Sequence, residues 1–191
     1  MSLWETEVSF VASGEKWYIR SQLHKYTVSR CSKKETKVKI FEIEIEISFR
    51  FDNADMLEYI PDETEVLIFT GNNIGFLRNN IIGNYQEHEL LRVMDLSNNN
   101  ITEISGKAFH KVAGVKILIL NHNNLRISGE ESHPRVLTNF YALEELHLTN
   151  AFTEMIDSKY YLDDLQTWLM VAKAEGLNSL WKLHLEQNEI W

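Results

Sequence analysis

Leu91–Ile101, LRVMDLSNNNI, is the stretch whose reading decides the fold. It fits an eleven-residue pattern, L-x-x-L-x-L-x-x-N-x-L, with Leu91, Met94 and Leu96 in the first three apolar slots, Asn99 in the asparagine slot and Ile101 in the last. Its first half alternates apolar slots with other residues, the period of a short strand whose successive side chains point to opposite faces. An asparagine where the chain leaves such a strand supplies partners to backbone groups that a buried turn cannot leave unpaired.

The pattern recurs. Val115–Leu125 (VKILILNHNNL) and Leu180–Ile190 (LWKLHLEQNEI) keep every slot, and Thr64–Ile74 (TEVLIFTGNNI) keeps Leu67, Phe69, Asn72 and Ile74. Leu143–Thr153 (LEELHLTNAFT) keeps Leu146 and Leu148 but has Ala151 in the asparagine slot and Thr153 in the last apolar slot. The units start 27, 24, 28 and 37 residues apart. Recurrence of this signature at this period marks leucine-rich repeats, which bury their apolar sides only by stacking. The fold class expected is therefore α/β: a leucine-rich repeat solenoid, a short right-handed horseshoe with a parallel concave sheet, preceded by a β-rich N-terminal segment. Residues 1–56 form that segment and residues 57–191 about five repeats.

Composition narrows the function. The chain has 191 residues, 44% of them hydrophobic, and a net charge of −9, which argues against a nucleic-acid footprint. No run of about 18 apolar residues exists to cross a membrane, and the first residues, MSLWETEVSFVASGEKWYIR, do not read as a signal peptide. The single cysteine, Cys31, leaves no internal disulfide and on its own favours a reducing compartment. No phosphate-binding glycine loop, nucleophile elbow or zinc-protease helix motif is present, so the chain is not expected to be an enzyme, and no cofactor is expected.

Ahead of the repeats, Trp17, Tyr18 and Ile19 suggest a short strand and Ser29–Lys37 (SRCSKKETK) a basic polar loop. Phe41–Phe51, FEIEIEISFRF, alternates strictly for eleven residues and predicts a half-buried strand that caps the open N-terminal end of the solenoid. In the 24-residue unit, Ala108, Phe109 and Val112 are apolar points of a convex segment that resembles those of extracellular leucine-rich repeats. The 37-residue unit holds an insertion, residues 156–176, in which Tyr161, Leu165, Trp168, Leu169 and Ala172 fall at helical spacing. Asp157 or Ser158 suits the start of that helix and Gly176 its end, while Asp163, Asp164 and Lys173 suit the helix dipole. The chain stops just after Ile190, so the fifth repeat is expected to lack its convex return and the chain to be part of a longer protein.

Taken together, LEYIPDETEVLIFTGNNIGFL (Leu57–Leu77), LRVMDLSNNNITEISGKAF (Leu91–Phe109), LEELHLTNAF (Leu143–Phe152) and WLMVAKAEGLNSLWKLHLEQNEI (Trp168–Ile190) resemble the trophoblast glycoprotein (Wnt-activated inhibitory factor) family. The irregular repeat followed by a helical insertion is the most specific part of the match. The resemblance implies a cell-surface glycoprotein whose repeat domain inhibits Wnt/β-catenin signalling, with a Wnt co-receptor or another cell-surface protein as partner. It also implies location on the extracellular side of the plasma membrane, with attachment through segments outside this chain. The family's N-terminal cap is a disulfide-bonded cysteine cluster, whereas only Cys31 precedes the repeats here. The lone cysteine and the N-terminus leave open a different reading, an intracellular leucine-rich repeat adaptor or scaffold.

Between the inward slots, each repeat strand presents residues to the concave face. Val66, Val93 and Ile117 fall in one column, with Ile68 and Ile119 in the next, an apolar patch on a face that is usually polar. These five, with Asp95, His147 and His184, are the candidate partner-binding residues. His147 and His184 share a column about 5 Å apart; two imidazoles are an incomplete ligand set, and no metal site is expected. Asn100-Ile101-Thr102 is a sequon that places a glycan on Asn100 if the chain is secreted.

Overall fold

The computed structural model describes residues 6–12, 15–21, 25–31, 35–40, 43–47, 57–58, 60, 64–83, 87–127, 133–153 and 158–188. Before the repeats lie β1 (Thr6–Ala12), β2 (Glu15–Ser21), β3 (Lys25–Cys31), β4 (Glu35–Ile40) and β5 (Ile43–Ile47). The repeats contribute β6 (Val66–Thr70), β8 (Val93–Asp95), β10 (Ile117–Ile119), β11 (Glu145–His147) and β12 (Lys182–His184). A smaller pair, β7 (Phe76–Leu77) and β9 (Glu103–Ile104), lies outside the main sheet. One eight-stranded sheet runs in the order β12-β11-β10-β8-β6-β3-β4-β5. Its five repeat strands are parallel and in register, each unit adding one strand. The chain folds as a leucine-rich repeat solenoid.

Alternation places the core. The central residues Leu67, Met94, Leu118 and Leu146 are at most 3% exposed, while their flanking strand neighbours are half-buried. The return segments close the other side with Ala108, Phe109, Val112, Val136, Leu137 and Phe140. Phe109 and Phe140, from successive units, meet with ring centroids 5.2 Å apart.

The chain leaves every repeat strand the same way. The residue seven places after each unit start has positive φ: Gly71 at 76°, Asn98 at 56°, His122 at 53°, Asn150 at 46° and Gln187 at 59°. Glycine and asparagine tolerate this left-handed conformation best. His122 adopts it between stacked turns on either side, and Gln187 beside the turn of the unit before it.

The slot asparagines then tie one unit to the one before. Asn123 Oδ1 accepts from the backbone N–H of Asn99 (3.1 Å) and Ile101 (3.0 Å), and its Nδ2 donates to the carbonyls of Leu96 (3.1 Å) and Leu120 (2.8 Å). Asn99 accepts from the Asn72 N–H at 2.9 Å, and Asn188 from the Ala151 N–H at 2.9 Å.

The fourth unit departs from the expected slot. Phe152, not Thr153, is buried there, and it bridges in parallel to Leu125. The Leu125 N–H meets the Ala151 carbonyl at 2.8 Å, the same bond that the Ile74 N–H makes to the carbonyl of Asn99 at 2.8 Å. The backbone contact between units is therefore kept without the asparagine, and the apolar slot is filled one residue early.

Two expectations ahead of the repeats need correction. Ser29–Cys31 and Glu35–Lys37 belong to paired strands in register Cys31↔Glu35, so the basic stretch is largely the two arms of a hairpin and not a loop. The second arm carries β-branched Thr36, Val38 and Ile40 at alternate positions, which the charge run obscured. The strand beside the first repeat is β3, parallel to β6 with Lys25↔Val66 and Thr27↔Ile68. β5, from within Phe41–Phe51, is the far edge of the sheet, paired only to β4 in the strand order. Alternation indicates a half-buried strand but does not choose its neighbour. Residues 41–42 and 48–51 lie outside the described residues, and the predicted strand around Trp17–Ile19 is β2.

The insertion is the helix α1 (Ser158–Ala174), packed on the short 3-10 segment Val136–Asn139. Leu165, Trp168 and Ala172 are its buried stripe. At its end the N–H of Gly176 (φ 111°) meets the Lys173 carbonyl at 3.2 Å and that of Leu177 the Ala172 carbonyl at 2.9 Å. This is the Schellman closure that glycine favours. Asp163 and Asp164 sit in the second turn, beyond the short reach of the helix dipole. Partial burial, followed by the charge of Asp163, pushes the Asp164 carboxyl up.

Candidate functional site

The face of the sheet opposite the core is built by the residues that flank the inward slots. One column runs Val66, Val93, Ile117, Glu145, Lys182. The next runs Ile68, Asp95, Ile119, His147, His184. The structure thus brings all eight sequence-predicted partner-binding residues onto two adjacent columns. Each is half-buried, because strand neighbours about 4.8 Å away cover its flanks.

The face has two halves. On β6, β8 and β10 it is aliphatic apart from Asp95, whose Oδ1 accepts from both the N–H and the hydroxyl of Ser97. That carboxylate is occupied in closing its own turn. On β11 and β12 the face is ionic. His147 and His184 stack with centroids 4.2 Å apart and planes 20° from parallel. Glu145 Oε2 lies 3.2 Å from His147 Nε2 and accepts from Lys182 Nζ at 3.0 Å. Glu186 lies 3.0 Å from His184 Nδ1 through Oε1 and accepts from the Thr149 hydroxyl at 2.8 Å through Oε2.

These bonds set the charges. The His184 contact first, then a bond to its own backbone N–H and the Thr149 hydroxyl, bring the Glu186 carboxyl down to about 2. The Lys182 ammonium, and after it His147, lowers that of Glu145 against the cost of burial. The sequence singled out the two histidines, each of which lies against a glutamate. It missed Lys182 and Thr149 as partners of those glutamates, although the alternation of LEELHLT and WKLHLE carried that signal.

Asn100 is exposed at a turn with φ 53°. Its Nδ2 donates to Asn73 Oδ1 at 2.9 Å, and its Oδ1 accepts from Asn124. A separate groove of about 1410 Å³ is lined by turns and return segments, including Glu87, Arg92, Lys107, Lys111, Arg135 and Glu175. Its acids and bases balance, and its lining includes none of the eight candidates.

The leucine-rich repeat family model matches residues 63–125 and 89–152, the span in which strand, turn and asparagine ladder repeat. Residues 63–152 carry leucine-rich repeats. The chain is similar to human lumican, 35% identical over 109 residues that make up 52% of this chain and 31% of lumican. Quail (Coturnix japonica) lumican is 32% identical over 108 residues. The chain therefore spans about a third of the length of the curated relatives it matches. Among solved structures it is similar to human 5T4 (Wnt-activated inhibitory factor 1, trophoblast glycoprotein). That match has a TM-score of 0.53 and 22% identity, and covers 66% of this chain and 43% of that one. The resemblance carried by Leu57–Leu77, Leu91–Phe109, Leu143–Phe152 and Trp168–Ile190 is thus met by a shared fold.

Proposed function

We propose that this leucine-rich repeat protein works by binding another protein on the open face of its sheet, and not by catalysis. The observation that carries the reading is the register that lines up Val66, Val93 and Ile117 beside Ile68 and Ile119. An aliphatic surface of adjacent columns, bordered by a charged stretch, has the make-up of an interface with an apolar centre and a polar rim. The partner we assign is a cell-surface protein of the Wnt pathway, a co-receptor. The support is the sequence resemblance to the trophoblast glycoprotein family together with the fold shared with human 5T4. The same resemblance favours an extracellular, cell-surface setting and a role in inhibiting Wnt signalling.

The test is binding of the chain to Wnt co-receptor ectodomains, measured by biolayer interferometry, with the Val93→Ser/Ile117→Ser double variant alongside. Truncating one of the few central contacts that dominate an interface costs over about 1 kcal/mol. The double variant is expected to bind roughly tenfold or more weakly with an unchanged circular dichroism spectrum. Equal affinities would remove the patch from the interface, and no binding to any Wnt co-receptor would remove the partner.

A further inference from the structure

We propose that Glu145, His147 and His184 form a divalent metal site of the zinc class on the open face of β11 and β12. The proposal stands on these residues alone and holds whether or not the aliphatic half binds a partner. Among the described residues, this is the place where three such groups each bring a ligand atom within 4.8 Å of the others.

His184 is already arranged as a ligand. A carboxylate only accepts, so the 3.0 Å contact to Glu186 puts the ring proton on Nδ1 and leaves the Nε2 lone pair free in the neutral ring. Nε2 is closed to solvent and has no hydrogen-bond partner among the described residues. A metal-binding histidine usually donates its other nitrogen to a carboxylate, which orients the ring and raises its basicity. Thr149 holds that carboxylate from its far side at 2.8 Å.

His147 and Glu145 complete the set. Their ligand atoms are 3.2 Å apart. A tetrahedral zinc with bonds of about 2.0–2.1 Å separates its ligands by about 3.4 Å. The three ligand atoms lie within 4.8 Å of one another; to share an ion the His147 ring must turn out of its stack on His184, and His147 and Glu145 are each about a fifth exposed, which leaves room to turn. On binding, His147 carries its proton on Nδ1 and turns the Nε2 lone pair to the ion. Two imidazoles with one carboxylate favour zinc over calcium or magnesium, which take oxygen ligands. The fourth position opens to water on the sheet face.

Lys182 gives the proposal a distinctive consequence. Its ammonium, 3.0 Å from Glu145 Oε2, supplies the counter-charge that the ion would replace. The lysine side chain is 40% exposed and free to swing into solvent. It therefore competes with the metal, and removing it should strengthen binding.

The test uses the full chain, stripped with a chelator and titrated with Co²⁺ and then Zn²⁺, read by visible absorption and calorimetry. A single ion per chain is expected, with the intense absorption of tetrahedral cobalt that zinc abolishes. His147→Gln and His184→Gln should each lose at least about tenfold in affinity, Glu186→Gln should weaken binding about tenfold through His184, and Lys182→Gln should tighten it. Circular dichroism checks that each variant folds. Should a histidine variant unfold, Lys182→Gln decides, because a merely structural lysine gives no tightening. No saturable binding, or a titration unchanged by His184→Gln, overturns the site.

Discussion

Asn123 joins two repeats through one side chain. Five hydrogen bonds converge on it, two from backbone N–H groups of the preceding unit and three to carbonyls. The residue is 5% exposed, so water has little access to replace them. Asn123→Ala leaves the N–H groups of Asn99 and Ile101 and the carbonyls of Leu96 and Leu120 without those partners. An unsatisfied buried group costs about 1–3 kcal/mol. Partial relaxation keeps the total at about 3 kcal/mol or somewhat more. Urea denaturation should show that loss, and a change under about 1 kcal/mol would mean that the turn closes without its asparagine. The fourth unit, with Ala151 in the slot, keeps the backbone bond to the unit before it and fills the apolar slot with Phe152. The pattern identified the missing asparagine but put the apolar residue one place too late. A slot count assumes a constant turn, and this turn is not constant.

Helix α1 shows how a long insertion is kept in place. Leu165, Trp168 and Ala172, spaced three and four apart, bury one stripe on the 3-10 segment of the third unit. The Arg135–Glu175 ion pair at 2.7 Å adds little, since both side chains are about half exposed. The burial of Trp168, 3% exposed, dominates. Trp168→Ala should cost about 3–5 kcal/mol, the range for emptying a large aromatic site. A differential scanning melt should show a lower Tm, and an unchanged Tm would place the helix outside the cooperative unit. The helical spacing and the glycine stop at Gly176 were both legible in the sequence. The small role left to the dipole was not, because the helix start that sets the position of Asp163 and Asp164 is a structural fact.

At the scale of the whole molecule, stacking grades the stability from unit to unit. The inward residues Met94, Leu118 and Leu146 are fully buried between neighbours, whereas Leu183 on β12 is 36% exposed. β12 ends the sheet, so its inward side lacks the cover that the other strands share. In a stacked array, stability is a sum of unit and neighbour contributions. Hydrogen exchange on this chain should therefore find the Leu118 and Leu120 amides more protected than those of Trp181 and Lys182. Equal protection would show that the array opens as one block.

The sequence by itself determined the repeat pattern, the inward residues of the repeat strands, the helix with its stop and the residues that face away from the core. All follow from local periodicity, because a strand alternates and a helix turns at fixed spacing whatever lies beside it. Only the tertiary structure decided that β3, and not the Phe41–Phe51 strand, flanks the first repeat. It alone showed that Lys182 and Thr149 join the cluster of Glu145, His147, His184 and Glu186. The bonded pairs Glu145–Lys182 and Thr149–Glu186 lie 37 residues apart along the chain. The physical reason is register. Units of 24 to 37 residues come into line only when backbone and asparagine hydrogen bonds lock each strand against the next.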